Sequence, residues 1–133
     1  MEDLEMKKIG IIGSGNMGSG IAQKTAQEGL FVVMVDVKPE FVEKGLKNIR
    51  TTLDEAVERK ILRPAQVEDI MSRIQGTTDL AETKDCDLVI EAIFEDMDVK
   101  KDLFSRLDKL CDDIFLVGAV RMHDIVCRIL AVP

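Results

Sequence analysis

Residues 7–20 read KKIGIIGSGNMGSG, with five glycines from Gly10 to Gly20 following directly on an apolar run. Glycine inside a regular element costs about 0.5–1 kcal/mol relative to alanine, so this density implies that the backbone itself is needed there. Residues 7–12 lack a helical period and read as a short buried strand. From residue 17 to 28, Met17, Ile21, Ala22 and Thr25 recur at helical spacing, and Gly29 is placed to end that helix. The glycines therefore fall in a strand-to-helix turn, Gly13-Ser14-Gly15-Asn16-Met17-Gly18.

That turn fits a GxGxxG loop in which each glycine has its own task. Gly13 permits the tight exit from the strand, Gly15 lets a pyrophosphate approach the backbone, and Gly18 lets the helix pack closely on the sheet. The N–H groups of Asn16 and Met17, at the positive end of the helix dipole, suit a diphosphate. A GxGxxG alone is weak evidence, because any tight strand-to-helix turn can carry it. Here residues 30–36 (LFVVMVD) form a second continuous apolar strand, and it ends in Asp36, 18 residues beyond Gly18. An acid about 20 residues past the loop is the ribose-binding residue of dinucleotide sites. Its carboxylate accepts hydrogen bonds from ribose hydroxyls and repels a 2′-phosphate, which favours NAD over NADP, although Lys38 two residues on softens that exclusion.

Further along, Pro39 suits the first turn of a long helix to about residue 59, and Pro64 that of another to about residue 74. Residues 86–93 (CDLVIEAI) read as a buried strand. Val99, Leu103, Leu107 and Leu110 form one face of a helix, and residues 114–118 (IFLVG) a further strand. Strands alternating with helices predict an α/β fold, a Rossmann-type doubly wound parallel sheet with an inserted helical pair.

Length and composition narrow the classes. The chain has 133 residues, 46% hydrophobic and 32% charged, which is globular rather than disordered. No apolar stretch reaches the ~18–20 residues needed to cross a membrane, and residues 1–8 lack the apolar core of a secretory signal. A net charge of −7 argues against a general nucleic-acid or anionic-membrane binder. The three cysteines, Cys86, Cys111 and Cys127, form no CxxC pair and the one histidine is His123, so no metal site is expected. Free thiols suit a reducing, cytoplasmic location.

Beyond the glycine loop, three stretches resemble the NAD-binding domain of 3-hydroxyacyl-CoA dehydrogenases. These are KIGIIGSGNMGSGIAQKTAQEG (8–29), VVMVDVKPE (32–40) and TTDLAETKDCDLVIEAIFEDMDVKKDLFSRLD (77–108), in the family's order and spacing. The block IEAIFEDMDVKKDLF is far more specific than the loop and disfavours an FAD- or SAM-binding protein. The resemblance covers about residues 8–113. It implies NAD-dependent oxidation of the 3-hydroxyl of a fatty acyl-CoA to a ketone. By motif match Glu95 and Lys100 are similar to residues lining the nicotinamide half of the cofactor, and Ala92 to one whose backbone faces it. The helical pair corresponds to the arm against which CoA lies, a helical arm at about 39–74, and Thr52 and Arg59 fall where the family contacts CoA. Read without the family, these four polar side chains fit ordinary solvated helix positions equally well.

Past Ile114 the resemblance stops. The family's SNTS-like turn and the histidine before an FFNP-like turn, with its glutamate, have no counterpart in IFLVGAVRMHDIVCRILAVP. His123 shares no motif with the family's base and reads as a structural or solvent-facing histidine, so no catalytic residue is assigned. The expected organisation is a dinucleotide-binding domain over 1–118 and a divergent apolar tail over 119–133, a truncated form of the family that does not turn over substrate alone. A tail this apolar must cover the sheet or contact another chain, so a homodimer, or a partner chain supplying the catalytic domain, is expected. The competing expectation is a non-catalytic NAD-binding or structural module of the same descent.

Overall fold

A computed structural model describes residues 6–92, the helical positions 102, 105, 106 and 109, and the strand Phe115–Gly118. Among the described residues five strands alternate with helices: β1 Lys8–Ile12, α1 Asn16–Gln27, β2 Phe31–Val35, α2 Pro39–Glu58, α3 Pro64–Ser72, β3 Ile74–Thr77, β4 Leu88–Glu91 and β5 Phe115–Gly118, with a 3-10 turn at Leu80–Thr83. All strand pairings are parallel, in the order β3-β2-β1-β4-β5. This is the strand order of a Rossmann-type sheet, and the order reverses between β1 and β4.

Side-chain alternation on the strands sorts the core into two faces. Ile9, Ile11, Val32, Met34, Leu88 and Ile90 point to one face, where Ala22 and Ala26 of α1, Ile49 and Leu53 of α2, and Val67 and Ile70 of α3 cover them. The residues between, Ile12, Val33, Val35 and Val89, point to the other face and meet Leu80 and Cys86. With both faces covered, β1, β2 and β4 are apolar over most of their length, which is why each reads as a continuous run; the buried Glu91 that ends β4 is the exception.

The inserted helical pair is the connection from β2 to β3. It is shorter than expected at its end: α3 stops at Ser72, and Ile74, expected as the last helical residue, begins β3. This strand escaped the sequence reading because IQGT is only half-buried at the sheet edge and contains Gly76. Arg50 of α2 forms ion pairs with Asp54 and, across the pair, with Glu68 of α3. The Glu68 hydrogen bond raises the pKa of the Arg50 guanidinium above its ordinary value. Asp102, Ser105, Arg106 and Lys109 are helical and exposed, the polar complement of the apolar face expected there. The tail 119–133 and His123 lie outside the described residues, as do Glu95 and Lys100. Among the described residues no helix is long and apolar enough to cross a membrane, and no cluster of side chains could hold a metal.

Candidate nucleotide-binding site

The strand-to-helix turn has the geometry that its glycines require. Gly13 leaves β1 with φ +110°, a left-handed conformation that side-chain-bearing residues rarely adopt. Its N–H donates to the Val35 carbonyl at 2.7 Å and so ties the end of β1 to the end of β2. Gly18 faces that turn so closely that a Cβ on it would lie 1.9 Å from the Gly13 carbonyl oxygen. The helix thus starts in direct contact with the loop.

Gly15 is the N-cap of α1, no side chain caps this terminus, and the first turn holds no acid. The first amides of a helix have no partner within it, so at this end they are left for a ligand, with the positive end of the dipole behind them. A Cβ built on Gly15 meets nothing within 4 Å: there is open space over the loop backbone, where a pyrophosphate needs it. Asn16 is exposed, whereas Met17 is half-buried and packs on the core.

Asp36 follows the last residue of β2 and stands beside this loop. Its Oδ2 accepts the Ser14 N–H at 2.9 Å and the Ser14 hydroxyl at 2.7 Å, and its Oδ1 accepts the Val37 N–H at 2.7 Å. Ala92 continues from β4, and its N–H donates to the Ile12 carbonyl at 2.8 Å. It therefore lies next to the loop where the strand order reverses, the place at which open α/β sheets bind ligands. Gly13, Gly15, Gly18, Asn16, Met17, Asp36 and Ala92 are thus brought to one end of the sheet.

Thr52 is set apart from this group. An open groove of about 440 Å³ runs between α1 and α2, lined by Asn16, Ser19, Gly20 and Gln23 on one side and Asn48, Ile49, Thr51 and Thr52 on the other. The groove joins the helix start to the arm, and every polar group on it is uncharged. The Thr52 hydroxyl donates to the Asn48 carbonyl at 3.0 Å. Arg59 is the exposed C-cap of α2, seven residues beyond Thr52, or about 10 Å along the helix. The sequence reading overlooked Ser14, Gln23 and Asn48. A serine between two fingerprint glycines was the available signal for the first. The other two become visible only once α1 and α2 are paired.

A parallel sheet with this strand order, a glycine turn into an uncapped helix and an acid at the end of the second strand define a Rossmann-type dinucleotide-binding unit. Residues 8–120 match the family 3-hydroxyacyl-CoA dehydrogenase, NAD binding domain. The probable 3-hydroxybutyryl-CoA dehydrogenase of Deinococcus radiodurans is 46% identical over 103 residues, covering 77% of this chain and 37% of that protein. That of Bacillus subtilis is 41% identical over 108 residues, covering 81% and 38%. Among solved structures, the (S)-3-hydroxybutyryl-CoA dehydrogenase of Ralstonia eutropha superposes with a TM-score of 0.83 at 34% identity, covering 86% of this chain and 41% of that one. The chain belongs to the 3-hydroxyacyl-CoA dehydrogenase family and carries its NAD-binding domain. It spans less than half the length of these relatives. The match reaches residue 120, seven residues past the end of the recognised likeness.

Proposed function

We propose that this chain binds NAD at the Gly13–Gly18 turn and serves the oxidation of a 3-hydroxyacyl-CoA to its 3-keto form. The observation that carries the reading is the pairing of an open, uncapped helix start at Gly15 with a carboxylate, Asp36, fixed beside it. In this reading the amides of Gly15, Asn16, Met17 and Gly18 hold the pyrophosphate, with Gly13 forming the turn, and Asp36 holds the adenosine ribose. Ala92 bounds the path of the nicotinamide half, and Glu95 and Lys100 are assigned to that half by motif alone. Bound NAD supplies a hydride acceptor. The reaction also needs a base for the 3-hydroxyl proton, and no such group is assigned to the described residues.

For the CoA part, the uncharged groove suits a pantetheine chain, whose two amides can pair with the amides of Asn16, Gln23 and Asn48. Thr52 sits at its edge, and Arg59 is positioned one reach further along α2 for the phosphates. The unit 1–118 with its arm forms the nucleotide-binding part in this reading. The apolar tail 119–133 is assigned to contact with a second copy or a partner chain, in the cytoplasm.

Isothermal titration of the NADH-saturated chain with acetoacetyl-CoA tests the arm. Saturable binding is expected, weakened tenfold or more by Arg59→Glu, since a charge-assisted contact contributes about 1.5–3 kcal/mol. Catalysed NADH formation from 3-hydroxybutyryl-CoA and NAD is expected to stay at background. Acyl-CoA affinity indifferent to Thr52→Ala and Arg59→Glu would remove the CoA part of the reading.

A further inference from the structure

We infer that Ser14 is a positioning residue for Asp36, and that it thereby sets the preference for NAD over its 2′-phosphorylated form. The inference rests on Asp36 being the ribose-binding acid. Ser14 is only 2% exposed, although it lies in a loop built to face a ligand. It supplies two of the three donors on the Asp36 carboxylate, both to Oδ2, while the Val37 N–H holds Oδ1. An aspartate at a strand end would ordinarily rotate freely. Here both oxygens are pinned, and the plane of the carboxylate is fixed before any nucleotide arrives.

Helix α2 closes over Ser14. The Phe41 carbonyl lies 2.8 Å from its Oγ. A Cβ on Gly45 would come within 2.6 Å of the Ser14 carbonyl oxygen and 3.0 Å of its Cβ. The hydroxyl has one proton and two acceptors in reach. The charged carboxylate makes the stronger bond, and the Phe41 carbonyl stands as the alternative. A carboxylate offers about four acceptor sites; the Ser14 amide and hydroxyl and the Val37 amide take three of them and leave one open on Oδ1. A ribose hydroxyl can donate to that open site while the Ser14 hydroxyl stays on Oδ2, so the carboxylate keeps its orientation in the free and the bound state. A dianionic 2′-phosphate has no proton to donate, so it meets a carboxylate that stays clamped and charged.

Fluorescence titrations of the full chain with NADH and NADPH test this on the wild type, Ser14→Ala, Asp36→Ala and the double variant, each checked for folding by circular dichroism. Ser14→Ala is expected to weaken NADH about three- to tenfold, less than the loss of a direct charge-assisted hydrogen bond because Ser14 acts only through the orientation of Asp36, while NADPH binds as before or more tightly. The NADPH-to-NADH ratio of Kd therefore falls. In the Asp36→Ala background the Ser14 substitution is expected to add nothing. If Ser14→Ala lowers both affinities alike, or its loss adds fully to that of Asp36→Ala, Ser14 is a packing residue and the inference is overturned. If Asp36→Ala itself leaves NADH binding unchanged, the ribose assignment fails, and this inference with it. Should Ser14→Ala not fold, Ser14→Cys, which replaces the hydroxyl with a weak donor, is read in the same way.

Discussion

At the scale of single residues the site depends on close approach more than on charge. Gly18 has no room for a methyl group, because the nearest atom is a backbone carbonyl oxygen in the turn that the site is made of. A flexible side chain could swing aside, but Gly13 can yield only by opening the loop. Overpacking of this kind costs about 1–3 kcal/mol. Gly18→Ala is therefore expected to lower the melting temperature by several degrees and to abolish measurable NADH binding. Gly20→Ala, two residues further along α1 with nothing within 4 Å of its added Cβ, should leave the fold and NADH affinity intact. Equal damage from both substitutions would mean that glycine matters here as a flexible residue rather than through contact. The residues of this loop were legible in the sequence because each has a stereotyped task. For Ser14 the only signal was its place between two fingerprint glycines, since its importance comes from Asp36, Phe41 and Gly45, which are 22, 27 and 31 positions away.

At the scale of elements, the C-terminal ends of α1 and α2 follow one rule. At the end of α1 the Gly29 N–H donates to the Ala26 carbonyl and the Leu30 N–H to that of Thr25, with Gly29 left-handed at φ +93°. Helix α2 closes in the same pattern, Lys60 N–H to Val57 and Ile61 N–H to Ala56, but the left-handed residue is Lys60 at φ +60°. A residue with a Cβ pays about 1–2 kcal/mol in that conformation, partly offset by the larger entropy that glycine loses on folding. Lys60→Gly should therefore raise stability by about 0.5–1 kcal/mol, read as a higher urea midpoint at unchanged slope. A lowered midpoint would show that this helix end is not held in the Schellman form. The same logic explains which elements could be read in advance. Helices opened by Pro39 and Pro64 and strands buried on both faces carry strong local signals. The edge strand β3 carries none, because only its pairing with β2 makes IQGT a strand.

At the scale of the whole molecule, the strand order β3-β2-β1-β4-β5 places the ends of β1, β2 and β4 side by side. That order gathers Gly13, Asp36 and Ala92, scattered over 80 residues of sequence, into one crevice. The continuous apolar runs marked strands buried on both faces, but only the folded sheet shows which side chains face α1 and which the Leu80–Cys86 segment, and the runs could not reveal the groove between α1 and α2. The groove is made by the packing of two helices, each of which reads as ordinary on its own. Dinucleotide binding at the glycine turn is the property on which the CoA arm, the role of Ser14 and the dehydrogenase chemistry all depend. The chain has neither Trp nor Tyr, so NADH fluorescence can be followed against little protein background. Titrating NADH into the purified chain, with NADPH in parallel, should give saturable NADH binding and much weaker NADPH binding. Binding of neither nucleotide, or of both equally, would contradict the assignment of the Gly13–Gly18 turn and Asp36 as an NAD site.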